Sequence, residues 1–221
     1  MLENTYNFSK TIIKKINLNY LLYTPKDYNE DVKFPLVMFL HGSGERGDNL
    51  ELLKLHGIPK LISQGKDFPF IAISPQCPSS VCLTELTEDL NLLIEDIISN
   101  YSVDPEKIYL TGISMGGFAA WKLACKHPEK FAAILPICGG PWNACYDEEI
   151  SNLKDIAVWA FHGAKDEVVP IEGTKAIIDN LRAIGNNAKF TVYPDLGHDS
   201  WSLTYENPEV YSWLLNQKKI K

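Results

Sequence analysis

The order of apolar, β-prone runs and amphipathic helical stretches predicts an α/β fold, a mostly parallel central sheet with helices on both faces. Three observations carry that expectation. Strand-like runs fall at residues 34–40, 70–74, 107–111, 131–137, 156–161 and 188–193, and helical apolar stripes lie between several of them. The runs are continuously apolar rather than alternating, as expected of strands covered on both sides. The 221 residues show no repeat, linker or low-complexity tract, so one α/β domain over residues 1–221 is expected.

Taken in order, residues 11–23 contain strands expected to pair antiparallel at one edge of the sheet. The first parallel strand is 34–40. Residues 50–64 have leucine and isoleucine at helical spacing, but Gly57 and Pro59 divide them into two pieces. After the strand at 70–74, the helix over 85–99 presents Leu86, Leu90, Leu93, Ile94 and Ile97 as one apolar stripe. Residues 118–124 read as a helix whose small residues can lie close to a sheet. Ile177, Ile178, Leu181 and Ile184 form another stripe, closed by Gly185 as a C-terminal cap. Asn207 and Pro208 open the last helix as cap and first residue, with Val210, Trp213 and Leu214 facing inward. In such sheets ligands bind at the carboxyl ends of the strands.

The most informative stretch is Gly112-Ile113-Ser114-Met115-Gly116, a Gly-x-Ser-x-Gly turn between a strand and a helix. A serine on so sharp a bend is exposed above the sheet at a helix N-terminus, where amide N–H groups favour developing negative charge. The flanking glycines remove the bulk that would keep strand and helix apart. The turn therefore marks Ser114 as a candidate nucleophile.

A nucleophilic serine needs a base, and the base needs an orienting acid. Asp166 lies just beyond the strand 156–161, in the loop running from His162 to Pro170. His198 lies in the loop beyond the strand 188–193. Glu167, Asp195 and Asp199 are competing acids by composition. Asp166 is preferred because a separate strand end lets its carboxylate reach the far ring nitrogen of His198. His41 and His162 each precede a glycine at a strand end and are expected to bond nearby backbone. His56 and His127 fall on expected helices and read as solvated.

Acyl transfer also needs donors for the oxyanion. The Met115 amide, directly after the serine, is one candidate. The second is the Ser43 amide, with Gly44 as the fallback, in the glycine-dense loop from His41 to Asp48. Glu45 and Arg46 beside it can read a polar or charged substrate group, or simply form a surface ion pair. Trp142 and Trp201, with Tyr146, can line the site and stack on an aromatic or sugar ring, or merely pack beside it.

Together, the segments around Gly42, Ser114, Gly139, Asp166 and His198 resemble the α/β-hydrolase superfamily. Within it they are most similar to the phospholipase/carboxylesterase-like and dienelactone-hydrolase-like esterases, some described as predicted peptidases. The resemblance spans roughly residues 21–215. It implies the α/β-hydrolase fold, with Ser114, Asp166 and His198 at the triad positions and Ser43 and Met115 at the oxyanion-hole positions. Relatives tend to carry a tryptophan soon after a Pro-Gln-Cys-Pro segment. Here Pro75-Gln76-Cys77-Pro78 runs into Ser79, which implies a pocket of different shape. The serine at the elbow, where true dienelactone hydrolases place a cysteine, argues against that reaction.

Composition narrows the partners. A formal net charge of -7 disfavours nucleic acid and anionic membranes. No apolar run approaches a membrane span, and the first ten residues lack the basic-then-apolar form of a secretion signal, so a cytoplasmic location is expected. Five cysteines without metal-type spacing suggest free thiols rather than disulfides or a metal site. Only residues 138–155 separate two successive strands where a lid would enter, which leaves room for a short helix and not a large cap domain. The expected function is a serine carboxylesterase acting on small soluble or carbohydrate-linked acetyl, feruloyl or short acyl esters, with no cofactor. A serine peptidase on short peptides and a non-catalytic binding protein are the alternatives. Nothing in the sequence bears on oligomeric state.

Overall fold

Seven strands among the described residues form one sheet in the order β1-β3-β2-β4-β5-β6-β7. They are β1 (Tyr20–Tyr23), β2 (Phe34–Leu40), β3 (Ile71–Pro75), β4 (Val103–Ile113), β5 (Ala133–Ile137), β6 (Ala157–Gly163) and β7 (Lys189–Tyr193). The structure is a computed structural model and describes residues 10–11, 13–141 and 149–219. Only β1 runs antiparallel, pairing with β3 at the edge, while the other neighbours pair in parallel. This is the mostly parallel sheet the sequence predicts.

The helices divide between the two faces, and β2 shows how. Leu36, Met38 and Leu40 point into one core, where they meet Leu90, Ile94 and Ile97 of α2 (Thr87–Asn100). The same core takes Trp121 and Leu123 of α3 (Met115–Lys126), and a further helix, Ile171–Ala183, adds Ile177, Ile178 and Leu181. Val37 and Phe39 point the other way, to Ile58 of α1 (Gly57–Ser63). Two C-terminal helices, Trp201–Glu206 and Pro208–Leu215, cover that second face with Tyr205, Val210, Tyr211 and Leu214. In chain order these last three helices are α4, α5 and α6. Each fully buried aliphatic or aromatic side chain contributes roughly 1.5–3 kcal/mol, so both faces must be covered for the sheet to persist.

Local chemistry sets the boundaries. Residues 50–64 do split, into a 3₁₀ segment over Leu50–Leu55 and α1, with His56 between them. Gly185, at φ +90°, ends the turn after α4 and donates to Arg182 O at 3.0 Å. Asn207 caps α6 by accepting from the Glu209 amide at 2.9 Å. His162 and Gly163 belong to β6 rather than to the loop expected there. The short α5 went unanticipated, having six residues and no complete apolar stripe.

The join between β4 and α3 is the tightest place in the fold. A Cβ on Gly112 would stand 2.3 Å from Gly116 O, and one on Gly116 would stand 2.1 Å from Leu40 O. The helix therefore sits against the ends of β4 and β2 at a separation that only hydrogen in place of a side chain permits. Overpacking against fixed backbone typically costs about 1–3 kcal/mol. Gly116→Ala is expected to lower urea-unfolding stability by about that amount, and a change below about 0.5 kcal/mol would contradict the packing described.

Candidate active site

β4 ends at Ile113 and α3 begins at Met115, leaving Ser114 at φ +50°, ψ -116°. An L-residue there is strained by about 1–3 kcal/mol and persists only where the surroundings over-determine it. Those surroundings are visible. The Ser114 amide donates to Ile137 O at 3.0 Å, and Ser114 O accepts from the Phe118 amide at 3.0 Å. The backbone is thus clamped between β5 and the first turn of α3.

The serine hydroxyl meets a histidine delivered from elsewhere in the chain. Ser114 Oγ lies 2.9 Å from His198 Nε2, and His198 Nδ1 lies 2.8 Å from Asp166 Oδ2. An ionised carboxylate only accepts, so Nδ1 carries the ring proton and Nε2 is left to accept from the hydroxyl. The free oxygen of the carboxylate is also held, since Asp166 Oδ1 accepts from the Val168 and Val169 amides, each at 2.9 Å. Burial opposes ionisation of Asp166. The His198 bond and the two amides outweigh it, holding the carboxyl below the usual range. Such a line can draw the proton from a serine as the oxygen attacks.

A second histidine stands behind the carboxylate, and its position was not legible in sequence. His162, fully buried, donates from Nε2 to Val169 O at 2.9 Å and lies 3.2 Å from Asp166 Oδ2. With Nε2 protonated and the ring neutral, Nδ1 accepts from Thr174 Oγ1 at 2.8 Å, and that oxygen also lies 2.7 Å from Gly139 O. Burial lowers its pKa, so the ring is a neutral brace for the Asp166 loop. Beneath the same loop is Cys138, buried and at φ +42°. Among the described residues one group offers three potential metal ligands close together, namely Cys138, Asp166 and His198, with ligand atoms within 4.8 Å of one another. Burial pushes the Cys138 thiol up to about 12, and a neutral thiol is a poor ligand. Cys77, Cys82 and Cys125 are free thiols too, and Cys145 lies outside the described residues.

The proposed oxyanion donors come from two helix starts. Met115 opens α3 and Ser43 opens a 3₁₀ turn over Ser43–Glu45; first-turn amides have no acceptor within their own helix. Both residues line one cleft of about 370 Å³ together with Ser114, Arg46, Cys82 and Phe118. A roomier cleft of about 480 Å³ lies near Ile156, Lys189 and Trp213, away from all of these residues. His41 anchors the base of the Ser43 loop, donating from Nδ1 to Gly42 O at 2.6 Å and accepting from the Cys77 amide at 2.9 Å. Burial presses its pKa down to about 4, which fixes the ring as neutral.

Several expected roles change. Glu45 is not among the residues that line the cleft beside Ser114. It is buried, at 6 % exposure, and its Oε2 accepts from the Gly42 amide at 2.7 Å, closing the loop on itself. Among the described residues Arg46 has no ion-pair partner, and it lines the cleft beside Ser114. Trp201 packs its ring edge-on to His198, with centroids 5.2 Å apart, and its indole N–H points to His56 Nδ1 at 3.3 Å. His56 is therefore a partner of that tryptophan, and it stands at the N-cap of α1 with its side chain still 35% exposed. His127 caps the end of α3 and lies 3.4 Å from Glu88. Trp142 and Tyr146 lie outside the described residues.

Residues 68–207 match the family described as phospholipase/carboxylesterase. The chain belongs to that family. It is 27% identical over 195 residues to a probable feruloyl esterase C of Aspergillus niger, covering 84% of this chain and 68% of that one. A thermostable esterase of known structure superposes with a TM-score of 0.79 at 33% identity, covering 90% of this chain and 59% of the other. A feruloyl esterase module from Clostridium thermocellum, complexed with sinapinate, superposes with a TM-score of 0.69 at 17% identity. It covers 88% of this chain and 81% of that module. The phospholipase/carboxylesterase chain thus has the α/β-hydrolase fold. No helix among the described residues is long and apolar enough to cross a membrane.

The lowered pKa of Asp166 links the site to stability. The stabilisation is complete above the unfolded carboxyl value, about 3.9, and is lost as pH falls through the lower folded value. Asp166→Asn is expected to be less stable than wild type to urea near pH 7, with the gap closing as pH drops below about 4. A gap independent of pH over that range would contradict the charge state given to Asp166.

Proposed function

We propose that this protein is a serine esterase with Ser114 as nucleophile. The observation that carries the reading is the continuous hydrogen-bonded line from Ser114 Oγ through His198 to Asp166, at 2.9 and 2.8 Å, ending on a serine in a strained backbone. Ser114 attacks the ester carbonyl while His198 Nε2 takes its proton. Asp166 holds the imidazole in the required tautomer and balances its charge. The Met115 and Ser43 amides receive the oxyanion. The proton then passes from His198 to the departing alcohol, leaving an acyl-serine. Water, deprotonated by the same histidine, releases the acid and restores the hydroxyl. No cofactor enters this cycle.

Small soluble or carbohydrate-linked esters, with acetyl, feruloyl or short acyl groups, suit a cleft of about 370 Å³. Phe118 and Met115 give it an apolar wall on which an aromatic or short aliphatic acyl group can pack. The names of the relatives support the same class. Trp201 acts in this scheme by backing His198, not by stacking on substrate.

The test is hydrolysis of a short p-nitrophenyl ester. Ser114→Ala is expected to lower kcat by roughly 10⁴-fold or more while leaving the unfolding curve near that of wild type. A variant that keeps more than a tenth of the wild-type rate would end the reading of Ser114 as nucleophile.

A further inference from the structure

The cleft around Ser114 has a charge of its own, and it opposes that of the molecule. The chain carries a formal net charge of -7, yet among the described residues that line the cleft the one ionised side chain is the cation Arg46. Its guanidinium is held in place by backbone carbonyls. Nε donates to Ser43 O at 3.1 Å and Nη1 to Val81 O at 3.4 Å. A guanidinium has five N–H donors, so three remain beyond these two bonds. Among the described residues no carboxylate pairs with it. Glu45, its neighbour in sequence, is turned to the Gly42 amide, and Glu85 is turned to the Cys82 amide at 2.8 Å.

The mechanism says which part of an ester occupies this cleft. The leaving alcohol must lie against His198, because that ring returns the proton to the departing oxygen. Its described lining contains Ser114 and the two residues whose amides are assigned to the oxyanion, Ser43 and Met115, together with Phe118 and Pro141, and does not contain His198. The cleft is therefore the acyl side. An acyl chain starting at Ser114 runs along Met115 and Phe118 and meets Arg46 at the cleft's charged wall.

We propose that the preferred substrates are monoesters of short dicarboxylic acids, whose far carboxylate pairs with Arg46. A carboxylate accepts from two guanidinium N–H groups at once, which gives geometric as well as electrostatic selection. A backbone-anchored guanidinium needs little further ordering to bind it. The proposal rests on Ser114 being the nucleophile and adds the chemistry of the acyl group.

The experiment compares monomethyl with dimethyl adipate, which share acyl chain and leaving group and differ in the charge at the far end. The monoester is expected to have at least a tenfold higher kcat/KM, counted per ester group. That preference should shrink as sodium chloride is raised, since added ions screen the pair. Arg46→Gln is expected to abolish the preference through KM, and Arg46→Lys to retain part of it. Because Arg46 also holds Ser43 O, the readout is the ratio between the two esters, which a loosened loop alone leaves unmoved. Equal or better turnover of the diester by wild type, or a preference unchanged in Arg46→Gln, overturns the proposal. So does failure on monomethyl glutarate, adipate and suberate alike by enzyme that hydrolyses p-nitrophenyl acetate. Failure on p-nitrophenyl acetate as well instead removes the esterase reading beneath it.

Discussion

The close approach of α3 to the ends of β2 and β4 is the constraint from which the site follows. With hydrogen in place of a side chain at 112 and 116, the helix can start one residue after the strand stops. The residue caught between them has no ordinary backbone conformation available, and Ser114 takes φ +50°. The strain is held by hydrogen bonds to Ile137 and Phe118 and by burial on both faces of the sheet. Packing that is unremarkable elsewhere in the core thus fixes one hydroxyl at the carboxyl edge of the strands. The same geometry leaves the Met115 amide at the helix start beside it.

Two further loops must arrive at that hydroxyl, and each is secured independently. The Asp166 loop is tied by its own carboxylate to two amides and backed by neutral, buried His162. The His198 ring is flanked by Trp201, whose indole reaches His56. His56 Nε2 stands 3.8 Å from Glu45 Oε1, and Glu45 closes the Ser43 loop. Groups supporting the imidazole and groups supporting the Ser43 loop therefore meet at one place. Nearly all of these contacts are between neutral partners or carboxylates with satisfied oxygens, as a buried site requires.

The parts legible from sequence were those whose chemistry is local. A Gly-x-Ser-x-Gly turn between an apolar strand and a helix needs only five neighbours to be recognised. Parallel strand order places the loops after β6 and β7 near it, so the approach of Asp166 and His198 to Ser114 could be expected without coordinates. What escaped were contacts between distant segments. The Trp201–His56 bond joins residues 145 positions apart, and nothing in the composition around His56 marks it. Glu45 read as a substrate-facing or ion-paired acid because its neighbours are glycines and charged residues; only the curl of the loop shows the carboxylate closing back on Gly42. His162 was expected to bond backbone and does, but its proximity to Asp166 depends on β6 running two residues further than its apolar run suggests. The helix α5 was missed because six residues are too few to display a period.

Labelling with a fluorophosphonate, followed by peptide mapping, addresses the reactivity of that strained serine most directly. A single adduct on Ser114, formed rapidly by wild type and far more slowly by His198→Ala, is the expected outcome. An unlabelled protein, or an adduct at another residue with Ser114 untouched, would show that the hydrogen-bonded line does not activate this hydroxyl.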